Sequence, residues 1–306
     1  MTCGYLEGSD KILRVDVPNR SVEGDLALGD AKLYQVSTSV SSAGGVFAFR
    51  VTKFEEFGPI SCHDAANKVY VGVGNRVFVY NENNGNLITT INCDRATEIK
   101  DLALSVEQSK LYAISQAGVV VVIETTSDEV VATLNSGSSP EFAGKLDSAA
   151  IDDTRDAVYI TNTTTNKVLV LNTITNTLVT TISVGTGPRG IALSPELGKG
   201  IVCHTEGNLV SIINTTGNTV STSVAMSAVG SNGRPISAAI DTANGKGFVV
   251  LENSHQVVAI NLTTNQIESR IPVDPSPVEA VWVDSTQELC VVSQGGGISV
   301  IKKVVQ

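Results

Sequence analysis

Three carboxylates in this chain are placed where they could act together. Asp101, Asp147 and Glu279 each stand at the start of a short apolar segment, in three separate parts of the sequence. Carboxylates converging on one point could hold Ca²⁺ or a catalytic divalent metal, because hard cations take several oxygen ligands. The plainer reading is a set of solvated acids on the rim of an acidic protein. Corresponding segments begin with Gly190 and Ser237 instead, so an encircling cage of acids is not expected. Arg189 and Arg234 lie in neighbouring polar loops and could grip an anionic ligand. The plainer reading pairs them with Glu206 or Asp147.

The three histidines are His63, His204 and His255, and none has the spacing of metal ligands. His204 ends an apolar segment and His255 sits in the next polar loop of the same kind. They come from successive units and could approach each other as an acid–base pair; isolated histidines are the default. There is no Gly-x-Ser-x-Gly elbow and no phosphate-binding loop. Gly295–Gly297 is a turn between apolar segments and does not open a helix. The five cysteines are scattered without CxxC spacing, which suits reduced thiols better than a disulfide framework. Cys203 and Cys290 are flanked by apolar residues and read as small buried hydrophobes. No cofactor is expected beyond the divalent ion already raised.

These residues need a frame, and the bulk composition limits what it can be. The 306 residues are 42% hydrophobic and 17% charged, enough for a real core. Twenty-one basic residues face 31 acidic ones, a formal charge of −10. That balance disfavours nucleic acid, whose phosphates need a basic face. It also disfavours anionic membrane surfaces. No apolar run is long enough for a membrane-spanning helix, so no membrane insertion is expected. The first residues, MTCGYLEGSDKILRVDVPNR, do not read as a secretory signal. A cytoplasmic protein and a released or assembled one both fit, so no compartment is assigned.

The frame itself is a repeat. Residues 146–185 read LDSAAIDDTRDAVYITNTTTNKVLVLNTITNTLVTTISVG. Four apolar or alternating segments are separated by Thr/Asn turns, and the order recurs at 188–224 and 235–274. It extends to 60–92, 99–134 and, with three segments, 277–306. Equivalent segments are about 40 to 47 residues apart, the period of four-stranded propeller blades. The segments are rich in Val, Ile and Thr, as half-buried and buried strands require. Asn84-Gly85, Asn244-Gly245 and the Asn/Thr clusters supply the turns. No amphipathic helix is expected. Four sequons, at Asn19, Asn162, Asn214 and Asn261, read as turn chemistry before glycan sites.

The block VYITNTTTNKVLVLNTITNTLVTTISVGTGPRGIALSP resembles the YVTN-type β-propeller repeat family. Tyr159-Ile160-Thr161-Asn162 stands where that family has Tyr-Val-Thr-Asn, and Gly185, Gly187, Pro188 and Gly190-Ile191-Ala192 match its linker. The resemblance is strongest over 146–199 and extends over about 60–306. Other blades depart from it, with IVCHT at 201–205 and CVVS at 290–293. It implies a propeller, usually of seven blades, and no particular reaction. Members look like surface-layer or adhesion proteins, binding scaffolds or, in related propellers, lactonases and lyases.

The expected fold is therefore all-β, a single β-propeller spanning 1–306. Seven blades are expected, with six as the alternative. Residues 1–9 are expected to close the ring as the missing outer strand of the C-terminal blade. Residues 11–58 would make an irregular first blade from KILRVDV, SVEGDLAL, AKLYQVST and GGVFAFRVTKF, and 59–306 would make six YVTN-like blades. The expected function is non-enzymatic: a binding or structural component of surface-layer, adhesin or virion type. Its partner would be a protein, a glycan or a higher-order assembly. The alternative is a metal-dependent lactonase-like hydrolase at the channel mouth. Ligand positions would be Arg189, Arg234, His204 and His255, and metal positions Asp101, Asp147 and Glu279.

Overall fold

A computed structural model describes residues 2–4, 11–16, 21–27, 59–226, 233–294 and 298–302. Five antiparallel sheets of four strands each follow one another along the chain: 60–92, 99–134, 146–183, 188–225 and 235–272. Each is a meander, with strands adjacent in sequence also adjacent in the sheet. A three-stranded sheet follows at 277–302. The first strands of these six sheets lie side by side in sequence order. This is an all-β architecture consistent with a β-propeller. The helical content of the described residues is three short 3₁₀ turns, as the missing amphipathic pattern predicts.

The sheet at 146–183 shows why these residues fold this way. Its strands are Leu146–Asp152, Ala157–Asn162, Lys167–Asn172 and Thr177–Ser183. The second and third are covered on both faces by neighbouring sheets, so they read as nearly unbroken apolar runs. The outer strand meets water and mixes exposed Thr with buried Ile182. The turns are held by Asn. The Asn172 Oδ1 accepts from the Ile174 and Thr175 amides, and Asn176 takes a φ of 56° to close the turn. Asn tolerates that left-handed conformation better than most side chains.

Two irregularities repeat. The register shifts once between first and second strands, as at Leu146/Ala149, and once between third and fourth, as at Val170/Leu171. Such β-bulges bend and twist a sheet. The second bulge recurs at Val79/Tyr80, Val122/Ile123, Ile212/Ile213 and Ala259/Ile260. The core lies between sheets rather than within one. Tyr112, Ile114 and Val122 of one sheet pack on Val158, Ile160 and Leu171 of the next.

The expected closure by residues 1–9 is corrected where it can be seen. Thr2–Gly4 pairs with Lys11–Asp16, which pairs with Ser21–Ala27, in a sheet of their own. The pairing of Lys11–Asp16 with Ser21–Ala27 carries a bulge at Arg14/Val15, the place of the third-to-fourth strand bulge elsewhere. By that register these two segments are third and fourth strands. Thr2–Gly4 therefore takes a second-strand place instead of an edge on the last sheet. KILRVDV and SVEGDLAL form strands as expected, whereas AKLYQVST and GGVFAFRVTKF lie outside the described residues.

Candidate functional site

The candidate acids fall within the first strands, at their second or third residues, where successive sheets meet. Asp101 sits just after a bulge, opposite Ile114; Glu279 occupies the same place opposite Val292, and Ser237 opposite Val250. This row joins one sheet to the next. The Asp101 carboxylate accepts from the Ser148 hydroxyl and the Ala149 amide of the following sheet, each at 2.8 Å. It also accepts from the Leu102 amide. Between the 235–272 and 277–302 sheets, the Ser237 hydroxyl accepts from the Ala280 amide. Gly190 fills the row where no side chain fits, since a Cβ there would lie 2.3 Å from the Ile236 carbonyl oxygen. Burial pushes the Asp101 carboxyl up to about 6, against the three hydrogen bonds that favour its charge.

Asp147 is not in that row. It lies inside the bulge, one position before Ser148, and its equivalent in the next sheet is Arg189. The two meet in a forked pair, Nε to Oδ2 at 3.0 Å and Nη2 to Oδ1 at 3.3 Å. Burial works against the Arg189 charge, but Asp147 and then Glu252 outweigh it and raise its pKa. Arg234 pairs with Glu252 in turn. Asp147, Arg189, Glu252 and Arg234 thus form an alternating mosaic of charge over three sheets. Both arginines keep 41% of their side chains exposed. The expectation that Arg189 pairs with Asp147 holds, and Glu252 takes the place assigned to Glu206 or Asp147 beside Arg234.

Asp101, Asp147 and Glu279 are not brought together as metal ligands. Among the described residues no three carboxylate, imidazole or thiol groups stand close enough to share an ion. The physical reason is register: Asp101 is turned into a sheet boundary, and Asp147 is one residue out of phase and taken by an arginine. The histidines do not pair either. His204 is fully buried, with Nε2 2.9 Å from the Ser211 hydroxyl. Burial brings its pKa down to about 4, so it is neutral at pH 7. His255 lies in a left-handed turn, and its Nδ1 accepts from the Ser276 amide. Each closes its own loop. His63 lies at the opposite face beside Asp64–Ala66, its pKa lowered by burial and then by Lys68.

The sequon at Asn162 is accounted for by the fold. Its side chain is fully buried, donates to the Glu141 and Ala143 carbonyls and accepts from the Thr164 and Thr165 amides. Asn214 and Asn261 accept from turn amides in the same way.

Sequence reasoning missed the tyrosines. Tyr159 donates to the Thr215 carbonyl at 3.0 Å and to Asn218 Oδ1 at 2.7 Å, in the outer turn of the next sheet. Tyr112 does the same with Thr173 and Asn176, and Tyr70 with Asp128 and Thr125. Burial comes first in pushing the Tyr159 hydroxyl up to about 12. The signal was present as a Tyr at the same phase of three successive repeats and a Thr-x-x-Asn or Thr-x-x-Asp in the repeat that follows each.

No protein-family model matches the chain, and no curated protein matches it in sequence. In structure it is similar to a chain in the crystal structure of the Mitotic Checkpoint Complex. The TM-score is 0.75 at 11% identity, covering 96% of this chain and 82% of that one. It is one of 1711 solved chains that match, so the likeness fixes the fold and leaves function to the site. Repeated meanders, first strands set side by side and this likeness define a protein of the β-propeller class.

Proposed function

We propose that the chain is a non-enzymatic propeller of the YVTN-repeat kind, a binding scaffold that presents the face of its lead-in loops to a protein partner. The observation that carries this is the charge mosaic of Asp147, Arg189, Glu252 and Arg234, held by mutual pairing with its arginines 41% exposed and its acids largely covered. Arginine is enriched in protein interfaces, and a pre-paired arginine loses little freedom on binding. The first-strand polar groups beside it are committed to joining sheets, which suits a rigid platform better than a reacting centre. The proposal takes the N-terminal sheet as one blade beside the six sheets that follow, which would make seven.

The test is cross-linking mass spectrometry in cells that make the protein. Partner links should concentrate on the lead-in face, and Arg189→Glu with Arg234→Glu should remove them while circular dichroism stays unchanged. A charge reversal on the opposite face, Glu107→Lys, should leave them intact. Calcium-dependent lactone hydrolysis by the purified chain, abolished by Asp101→Asn, would overturn the proposal in favour of the hydrolase.

A further inference from the structure

The bulge in each fourth strand leaves one residue outside the ladder. The pairings identify it as Ile88, Val131 and Val179 in the first three four-stranded sheets, then Ser221 and Glu268 in the next two. Ile88, Val131 and Val179 are 46%, 47% and 59% exposed. The fold does not require an apolar residue there, because Ser221 and Glu268 hold the same place. A second departure lies beside Val179. One position of the third-to-fourth turn is Thr126, Thr216 and Thr263 in three sheets, and in the 146–183 sheet it is Ile174, 55% exposed. Edge strands are ordinarily protected by charge, so bare β-branched side chains on three successive edges need another reason.

The departures share one end of the molecule. Among the described residues from 59 to 272, every exposed large apolar side chain lies in a first-to-second turn, in a third-to-fourth turn or in the opening half of a fourth strand. That end faces away from the loops that lead into the first strands. Val106 and Leu197 carry the surface onto the first-to-second turns of the 99–134 and 188–225 sheets. The surface is also held in shape. Lys110, from the preceding sheet, donates to the Thr173 carbonyl at 2.6 Å and to the Ile174 carbonyl at 3.0 Å, and Tyr112 donates to Asn176. A turn pinned this way gives up little freedom when it is covered.

Charge says what covers it. The exposed charged residues that adjoin these apolar ones are acids: Glu107 after Val106, Glu129 before Val130 and Glu196 before Leu197. The cations at this end are turned inward. Lys68 is taken by Asp128, Arg155 by Asp152 and the Pro195 carbonyl, and Lys199 by the Leu262 carbonyl. We propose that this end of the sheets from 60 to 225 is a docking surface separate from the lead-in face, and that its occupant is a segment of a partner protein that sets apolar side chains among lysines or arginines. Apolar contact supplies the area and the glutamates select the charge. A second copy of the chain would bring the same acids against each other, and an anionic membrane would meet the same repulsion.

The test uses short fluorescent peptides titrated with the full chain and followed by anisotropy. A peptide alternating Leu and Lys should bind saturably and more weakly as salt rises. Peptides alternating Leu with Glu, or Ser with Lys, should bind at least roughly tenfold more weakly. Ile174→Thr with Val179→Ser installs the residues that other sheets carry at these places. It should weaken the Leu/Lys peptide about tenfold while circular dichroism and the urea midpoint stay unchanged. Glu107→Lys, Glu129→Lys and Glu196→Lys together should abolish that binding and admit the Leu/Glu peptide instead. No binding of the Leu/Lys peptide overturns the proposal, as does equal binding of the Ser/Lys peptide or full binding by the Ile174→Thr, Val179→Ser variant. Analytical ultracentrifugation checks the occupant: self-association that this variant abolishes would assign the surface to a second copy and overturn the choice made here.

Discussion

At three boundaries between sheets a tyrosine hydroxyl crosses to the next sheet; at the two that follow, an apolar side chain stands in its place. Tyr70, Tyr112 and Tyr159 reach the outer turn of their neighbours. Ile201 and Phe248 occupy the same phase in the later sheets, the third residue of the second strand. Ile201 fills the space over Gly247, where an added Cβ would lie 2.2 Å from its Cδ1. Phe248 stacks on Trp282, with ring centroids 5.5 Å apart and planes 15° apart. A lysine at the start of the second strand also crosses, Lys68 to the Thr125 carbonyl and Lys110 to the Thr173 carbonyl, and it persists without the tyrosine, since Lys199 donates to the Leu262 carbonyl. One repeat thus tolerates two ways of joining blades. What both share is filled space; the hydrogen bond is one means of filling it and satisfying a buried turn carbonyl.

Substitutions can break this comparison. The largest effect is expected from Trp282→Ala, which removes a buried aromatic and should cost about 3–5 kcal/mol in urea unfolding. Next comes Gly247→Val, expected to cost about 1–3 kcal/mol by overpacking Ile201. Adding Ile201→Ala should recover part of that loss. A strictly additive double mutant would show that the two residues do not share the space. Tyr159→Phe should cost about 1 kcal/mol, because it strips a donor from a buried carbonyl without changing packing. If Tyr159→Phe proved as costly as Trp282→Ala, the polar boundary would depend on its hydrogen bond rather than on volume.

A further effect is a slope. The Asp101 carboxyl is raised in the folded state from 3.8 to about 6. Its contribution to stability is therefore fully present below about pH 3.8 and is lost as pH rises through about 6. Asp101→Asn should flatten that part of the stability profile. His204 works the other way: lowered from 6.5 to about 4, it contributes stability above pH 6.5 that is lost as pH falls through about 4. His204→Gln should reduce the acid sensitivity of the 188–225 sheet, followed by hydrogen exchange in its strands.

The repeat was legible because burial and turn chemistry act on neighbouring residues. Asn172 and Asn176 bracket a turn whose bonds stay within four residues, so Thr/Asn clusters announced the outer turns. The site was less legible. Asp101 and Asp147 both looked like rim acids, and only a bulge separates one that joins two sheets from one that holds an arginine. A bulge shifts register by one residue without leaving a mark in composition.

By itself the sequence determined the all-β class, the period, the strand order within each sheet and the acidic balance of charge. These follow from composition, alternation, apolar runs and turn residues, all of which can be read along the chain. Tertiary structure alone decided that Thr2–Gly4 pairs with its own hairpin, that His204 and His255 stay apart, and that the tyrosines latch one sheet to the next. Those outcomes depend on which of several available partners a segment meets, and on single bulges that set its phase. Neither leaves a local trace. A strand's pattern says which face it buries; only its neighbours say what it is buried against.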